Sequence, residues 1–194
     1  MQLLSFLGVV RMKYAQVDDN FALRKGTNPF DCRCRRTGQL KQAIMKKGDK
    51  IPEILGYDAN GKLWQAKDFA GTKLVLYFYP KDGTPLCTDE ACSLASGYGA
   101  LLKAGYKVVG VSTDDADSHR KFSKEHSLPF PLISDTELEL NKLFDVWHKQ
   151  KFSGGEYMGT VRKTFIIDEK GVVSDIISNV DTKNSANQIL NLNK

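Results

Sequence analysis

Six consecutive apolar or aromatic residues, Leu74-Val75-Leu76-Tyr77-Phe78-Tyr79, constrain this chain of 194 residues more than any other feature. A strand with one wet face alternates apolar and polar residues, so an unbroken run of this length suits a strand covered on both faces. Such a strand requires further layers of structure above and below it. Lys107-Val108-Val109-Gly110-Val111-Ser112 reads in the same way, and so does Thr164-Phe165-Ile166-Ile167-Asp168. The last run is followed by Glu169-Lys170-Gly171 and then by Val172 to Ile177, the pattern of a β-hairpin with a glycine in its loop.

Helical patterns separate these strands. Thr84-Pro85 offers an N-cap and a first-turn proline for a helix running to about Ala104. Asp114 to His126 predicts a second helix, Glu137 to Val146 a third, and Ser185 to Leu192 a last one. Strand and helix alternation that ends in a hairpin and a helix predicts an α/β chain, a central mixed β-sheet flanked by helices on both faces. This is the thioredoxin-like fold.

Residues 1–44 carry no sustained period and hold eight basic and three acidic side chains, the whole of the net charge of +5. They are expected to be a poorly ordered N-terminal tail, with a single domain spanning 45–194. Residues 45–194 balance 20 basic against 20 acidic groups, so a nucleic-acid surface on the folded part is not expected. No apolar run approaches membrane-span length. Leu3 to Val10 resembles a short signal-peptide core but lacks a preceding basic residue and an evident cleavage site, so a cytoplasmic location is expected.

The segment that carries chemistry is Tyr79-Pro80-Lys81-Asp82-Gly83-Thr84-Pro85-Leu86-Cys87, followed by Thr88-Asp89-Glu90-Ala91-Cys92. It places Cys87 just after a buried strand and in the first turn of a helix, where backbone N–H groups are unpaired and the dipole is positive. Both favour the thiolate, which is the nucleophilic form. The same N–H groups suit an oxygen on which negative charge develops. Cys92 lies five residues on, which in an intact helix means a Cα separation of roughly 8.6 Å. Disulfides rarely bridge Cα atoms more than about 7 Å apart, so a bond between these cysteines would require the first turns to unwind.

The spacing of Pro80, Thr84 and Cys87 resembles the active-site signature of the peroxiredoxins. A second cysteine five positions later resembles the bacterioferritin-comigratory (peroxiredoxin Q) subfamily. The resemblance covers roughly residues 46–192. It implies a thiol peroxidase that reduces hydrogen peroxide and organic hydroperoxides, with Cys87 as the peroxidatic cysteine and Cys92 as its resolving partner in an intramolecular disulfide. It also implies that Thr84 hydrogen-bonds the peroxide and that Pro80 shields the thiolate. Arg162, before the strand at Thr164, matches the family's arginine, whose fixed charge stabilises the thiolate and orients the peroxide. No cofactor or metal is implied. Thioredoxin or a similar dithiol protein is the implied reductant, and the chain is expected to be a monomer or weak dimer. Residues 1–44 and their Cys32-Arg33-Cys34 have no counterpart in the family.

Other readings of these residues exist. Cys92, flanked by Ala91 and Leu94, could pack in the core, and Arg162 could be a solvated surface charge. His119 and His126 lie in a polar context and are expected to be solvent-exposed. A disulfide reductase is disfavoured, because its Cys-x-x-Cys sulfurs meet without melting a helix. A thioredoxin-fold redox sensor or binding module without turnover is the alternative in another class, and it has no need of Thr84, Cys87 and Arg162 together.

Overall fold

The computed structural model describes residues 44–152 and 155–193. The expected tail, including Cys32 and Cys34, lies outside the described residues save for Ile44. Strands β1 (Ile54–Tyr57) and β2 (Leu63–Gln65) form a small antiparallel hairpin. The central strands are β3 (Lys73–Phe78), β4 (Tyr106–Ser112), β5 (Leu132–Ser134), β8 (Lys163–Ile167) and β9 (Val173–Ile177). A separate ribbon joins β6 (Trp147–Phe152) to β7 (Gly155–Thr160). The helices are α1 (Pro85–Ser96), α2 (Tyr98–Lys103), α3 (Ala116–Glu125), α4 (Glu139–Leu143) and α5 (Ser185–Leu190).

The five-stranded sheet runs in the order β5-β4-β3-β8-β9. β3 pairs parallel with β4 and antiparallel with β8, which makes the sheet mixed. The apolar run of β3 divides between two cores, as a strand covered on both faces must. Val75, Tyr77 and Tyr79 enter one core with Ala91, Leu94, Leu101, Phe122 and Ile189, drawn from α1, α2, α3 and α5. Leu74, Leu76 and Phe78 enter the other with Phe144, Val146, Phe165 and the α4 residue Leu140. Helices therefore cover both faces, the second with the short α4 and the single 3-10 turn Ala66–Phe69.

Two helical expectations need correction. The segment from Pro85 to Ala104 is two helices, parted at Gly97. There α5 crosses so closely that a Cβ on Gly97 would lie 2.3 Å from the Cβ of Ala186. The expected helix Glu137 to Val146 contracts to Glu139–Leu143, because Leu138 (φ 62°) and Asp145 (φ 51°) are left-handed at either side. Buried Asp135 caps this turn, accepting the N–H groups of Leu140 (3.2 Å) and Asn141 (2.7 Å). Tertiary hydrogen bonding has overridden helical period here.

Candidate active site

Register brings the site together. Lys163, the first residue of β8, pairs with Phe78, the last residue of β3. Arg162 therefore lies at the sheet end from which Tyr79 and the loop 80–84 lead into α1. Its Nη2 is 3.0 Å from the Sγ of Cys87, although 75 residues separate the two in sequence. The Arg162 side chain is only 16% exposed, so it is not a solvated surface charge.

Cys87 is 2% exposed and shares a core with Tyr79, Ala91 and Leu94. It stands in the first turn of α1, and the first helical hydrogen bond runs from the N–H of Thr88 to the carbonyl of Thr84 at 2.9 Å. The N–H groups of Leu86 and Cys87 precede that ladder. Thr84 occupies the N-cap position, but its hydroxyl does not cap. It donates instead to the carbonyl of Lys81 at 3.1 Å. Pro80, between β3 and this turn, is half-buried.

Glu90 is a site residue that the sequence reading missed. It is 0% exposed, and its Oε2 accepts a hydrogen bond from Nη1 of Arg162. Its Oε1 has no partner among the described residues. Burial pushes the Glu90 carboxyl up to about 7, with Arg162 offsetting only part of that cost. Burial alone would lower the Arg162 value. The facing Glu90 and Cys87 outweigh it and hold the guanidinium above its usual value. A signal for Glu90 existed: Cys87, Glu90, Ala91 and Leu94 follow the i, i+3, i+4, i+7 spacing of one helical stripe.

Cys92 is exposed and free, as Cys87 is free. It does not pack in the core. Five residues on from Cys87, it stands about 140° around the same intact helix, with its Sγ 3.8 Å from Nδ1 of half-buried His126. The structure therefore brings Cys87 and Arg162 into contact, with Thr84 and Pro80 in the same strand-to-helix segment. Cys92 stays on a different face of α1.

The expectation for His119 is overturned. It is 0% exposed on α3, with Nδ1 2.7 Å from Oδ2 of Asp82 and Nε2 3.2 Å from the carbonyl of Ile133. Burial raises the Asp82 carboxyl, but hydrogen bonds from His119, Tyr79 and Ser118 outweigh it and hold the group below its usual range.

Residues 47–176 match the AhpC/TSA family, about two thirds of the chain. The chain belongs to that family. Within it the peroxiredoxin likeness is close: peroxiredoxin Bcp of Bacillus subtilis is 42% identical over 124 residues, covering 64% of this chain and 79% of the relative. Peroxiredoxin Bcp of Escherichia coli K12 is 35% identical over 147 residues, covering 76% and 94%. Among solved structures, a cysteine-to-serine variant of Xylella fastidiosa PrxQ superposes with a TM-score of 0.70 at 28% identity. It covers 77% of this chain and 96% of the other. Xanthomonas campestris peroxiredoxin Q gives a TM-score of 0.68 at 31% identity, covering 78% and 96%. As a peroxiredoxin the chain is a thiol peroxidase, carried on the thioredoxin-like fold.

Proposed function

We propose that Cys87 is the peroxidatic cysteine and that Arg162, Thr84 and Pro80 form its peroxide site. The contact that carries the reading is the one between Nη2 of Arg162 and the Cys87 sulfur. It sets a fixed positive charge on the sulfur at a helix start whose early N–H groups precede the hydrogen-bond ladder. The thiolate sulfur attacks the terminal peroxide oxygen, and the O–O bond breaks. Arg162 and the N–H groups at the helix start stabilise the charge that develops on the departing oxygen, which leaves as an alkoxide or hydroxide and takes up a proton. Cys87 is left as the sulfenic acid.

Cys92 then attacks that sulfur, an S–S bond forms, and the hydroxyl leaves as water. The two cysteines share one unbroken helix on faces about 140° apart, so this step requires α1 to unwind. A dithiol protein of the thioredoxin class returns both thiols by exchange. Hydrogen peroxide and small organic hydroperoxides are the substrates. A Xanthomonas campestris bacterioferritin comigratory protein, 32% identical with a TM-score of 0.66, is described for alkyl peroxide reduction. Among the described residues no helix is long and apolar enough to cross a membrane. A reducing compartment such as the cytoplasm suits a cycle that needs free thiols.

Stopped-flow mixing of the reduced protein with peroxide, followed by mass spectrometry, tests this assignment. Cys87→Ser loses turnover. Cys92→Ser consumes about one equivalent before stalling as the sulfenic acid or over-oxidising. Slow oxidation with no recycling by any dithiol would favour a redox sensor instead.

A further inference from the structure

Asp82 stands in the loop between β3 and the Cys87 helix, held by four side chains: Tyr79 of the same loop, Asp114 just before α3, and Ser118 and His119 of α3. Its Oδ1 accepts the hydroxyl of Tyr79 at 2.7 Å, and its Oδ2 accepts the hydroxyl of Ser118 at 2.8 Å and Nδ1 of His119 at 2.7 Å. Its own N–H donates to Oδ2 of Asp114 at 2.8 Å, an oxygen that also accepts the hydroxyl of Ser112. Both ring nitrogens of His119 face acceptors, the Asp82 carboxylate on one side and the Ile133 carbonyl on the other. The side chains of the His119–Asp82 pair are 0% and 6% exposed. The next residue, Gly83, has a left-handed φ of 69°, a backbone state free of strain only for glycine. A pinned residue thus abuts a residue with unusual backbone freedom, four positions before the reacting sulfur.

We propose that Asp82 and His119 are positioning residues, an anchor that fixes the stationary end of the peroxidatic loop so that opening begins at Gly83. Everything upstream stays held, β3 and Tyr79 by the sheet neighbours β4 and β8 and Asp82 by Ser118 and His119 of α3. Everything downstream, from Gly83 through the first turns of α1, is the part that unwinds. The anchor confines the loss of structure to the few residues that disulfide formation needs, and it returns Cys87 to Arg162 when the thiol is regenerated. This inference rests on the reading that Cys87 and Cys92 become linked.

Hydrogen–deuterium exchange of the full chain, reduced and after one equivalent of hydrogen peroxide, tests it, with disulfide mapping on the same samples. Amides of 84–92 are expected to lose protection on oxidation while those of 77–82 keep it. Joint opening of 79–82 and 84–92 overturns the anchor. Absence of a Cys87–Cys92 linkage sinks the reading of Cys92 instead, and a second arm then still reads the anchor in the reduced protein. His119→Ala is expected to expose 79–82 and slow oxidation of Cys87 by peroxide roughly tenfold, the effect of one charge-assisted hydrogen bond lost from a buried site. His119→Asn keeps a donor near the Nδ1 position and is expected to recover most of that rate. Equal rates in both variants, whether equal to the parent or equally slow, overturn the proposal.

Discussion

Replacing Glu90 by glutamine isolates the electrostatic cost that the site carries. The amide oxygen still accepts a hydrogen bond from Arg162 and the titrating charge is removed, while the amide N–H groups take the unpartnered place of Oε1 at a cost that does not vary with pH. In the folded protein burial lifts the Glu90 carboxyl from 4.5 to about 7. A shift of that size corresponds to roughly 3 kcal/mol between the two protonation states. Its sign follows from proton linkage. An acid whose folded-state value lies above its unfolded value binds its proton more tightly when folded, so stability is greatest at acid pH. It declines as pH rises from 4.5 through 7 and is level beyond. The glutamine variant has no such decline from this position. Urea denaturation of both proteins in reductant, at steps from pH 4 to pH 8, reads the difference. The variant is expected to gain up to roughly 3 kcal/mol relative to its parent across that window. Most of the change should fall between pH 4.5 and 7. Parallel stability curves for the two proteins would refute the claim that Glu90 is buried at this cost.

Two other perturbations test the packing that builds the site. Arg162→Lys keeps the charge but cannot reach Glu90 and Cys87 with separate nitrogens, as Nη1 and Nη2 now do. The rate constant for peroxide reaction should fall about 10- to 100-fold, read by stopped-flow fluorescence, the cost of losing one strong hydrogen bond. Gly97→Ala places a methyl group where the Cβ of Ala186 stands 2.3 Å away. It should destabilise the fold by about 1–3 kcal/mol in thermal or urea unfolding, because α1 and α5 must separate to admit it.

The parts of this protein that could be read without coordinates are those whose cause is local. An unbroken apolar run such as Leu74 to Tyr79 forces cover on both faces, and the structure supplies one core for each face. A proline and a cysteine at a helix start define a position relative to backbone N–H groups within one turn, and Cys87 stands there. Arg162 was found only through resemblance, since no local pattern marks a residue 75 positions away as the neighbour of Cys87. Strand register brings them together. Glu90 was overlooked because a glutamate on a helix is ordinarily a surface residue, and only the facing guanidinium makes its burial tolerable. His119 misled for the same reason. Its sequence neighbours are polar, while its actual neighbours, Asp82 and the Ile133 carbonyl, come from distant elements. The break at Gly97 and the shortened α4 likewise answer to partners, Ala186 and Asp135, that helical periodicity does not encode. Backbone preferences and apolar patterning act between near neighbours along the chain. The charge pairs and close approaches of this site act between residues that meet only once the sheet has assembled.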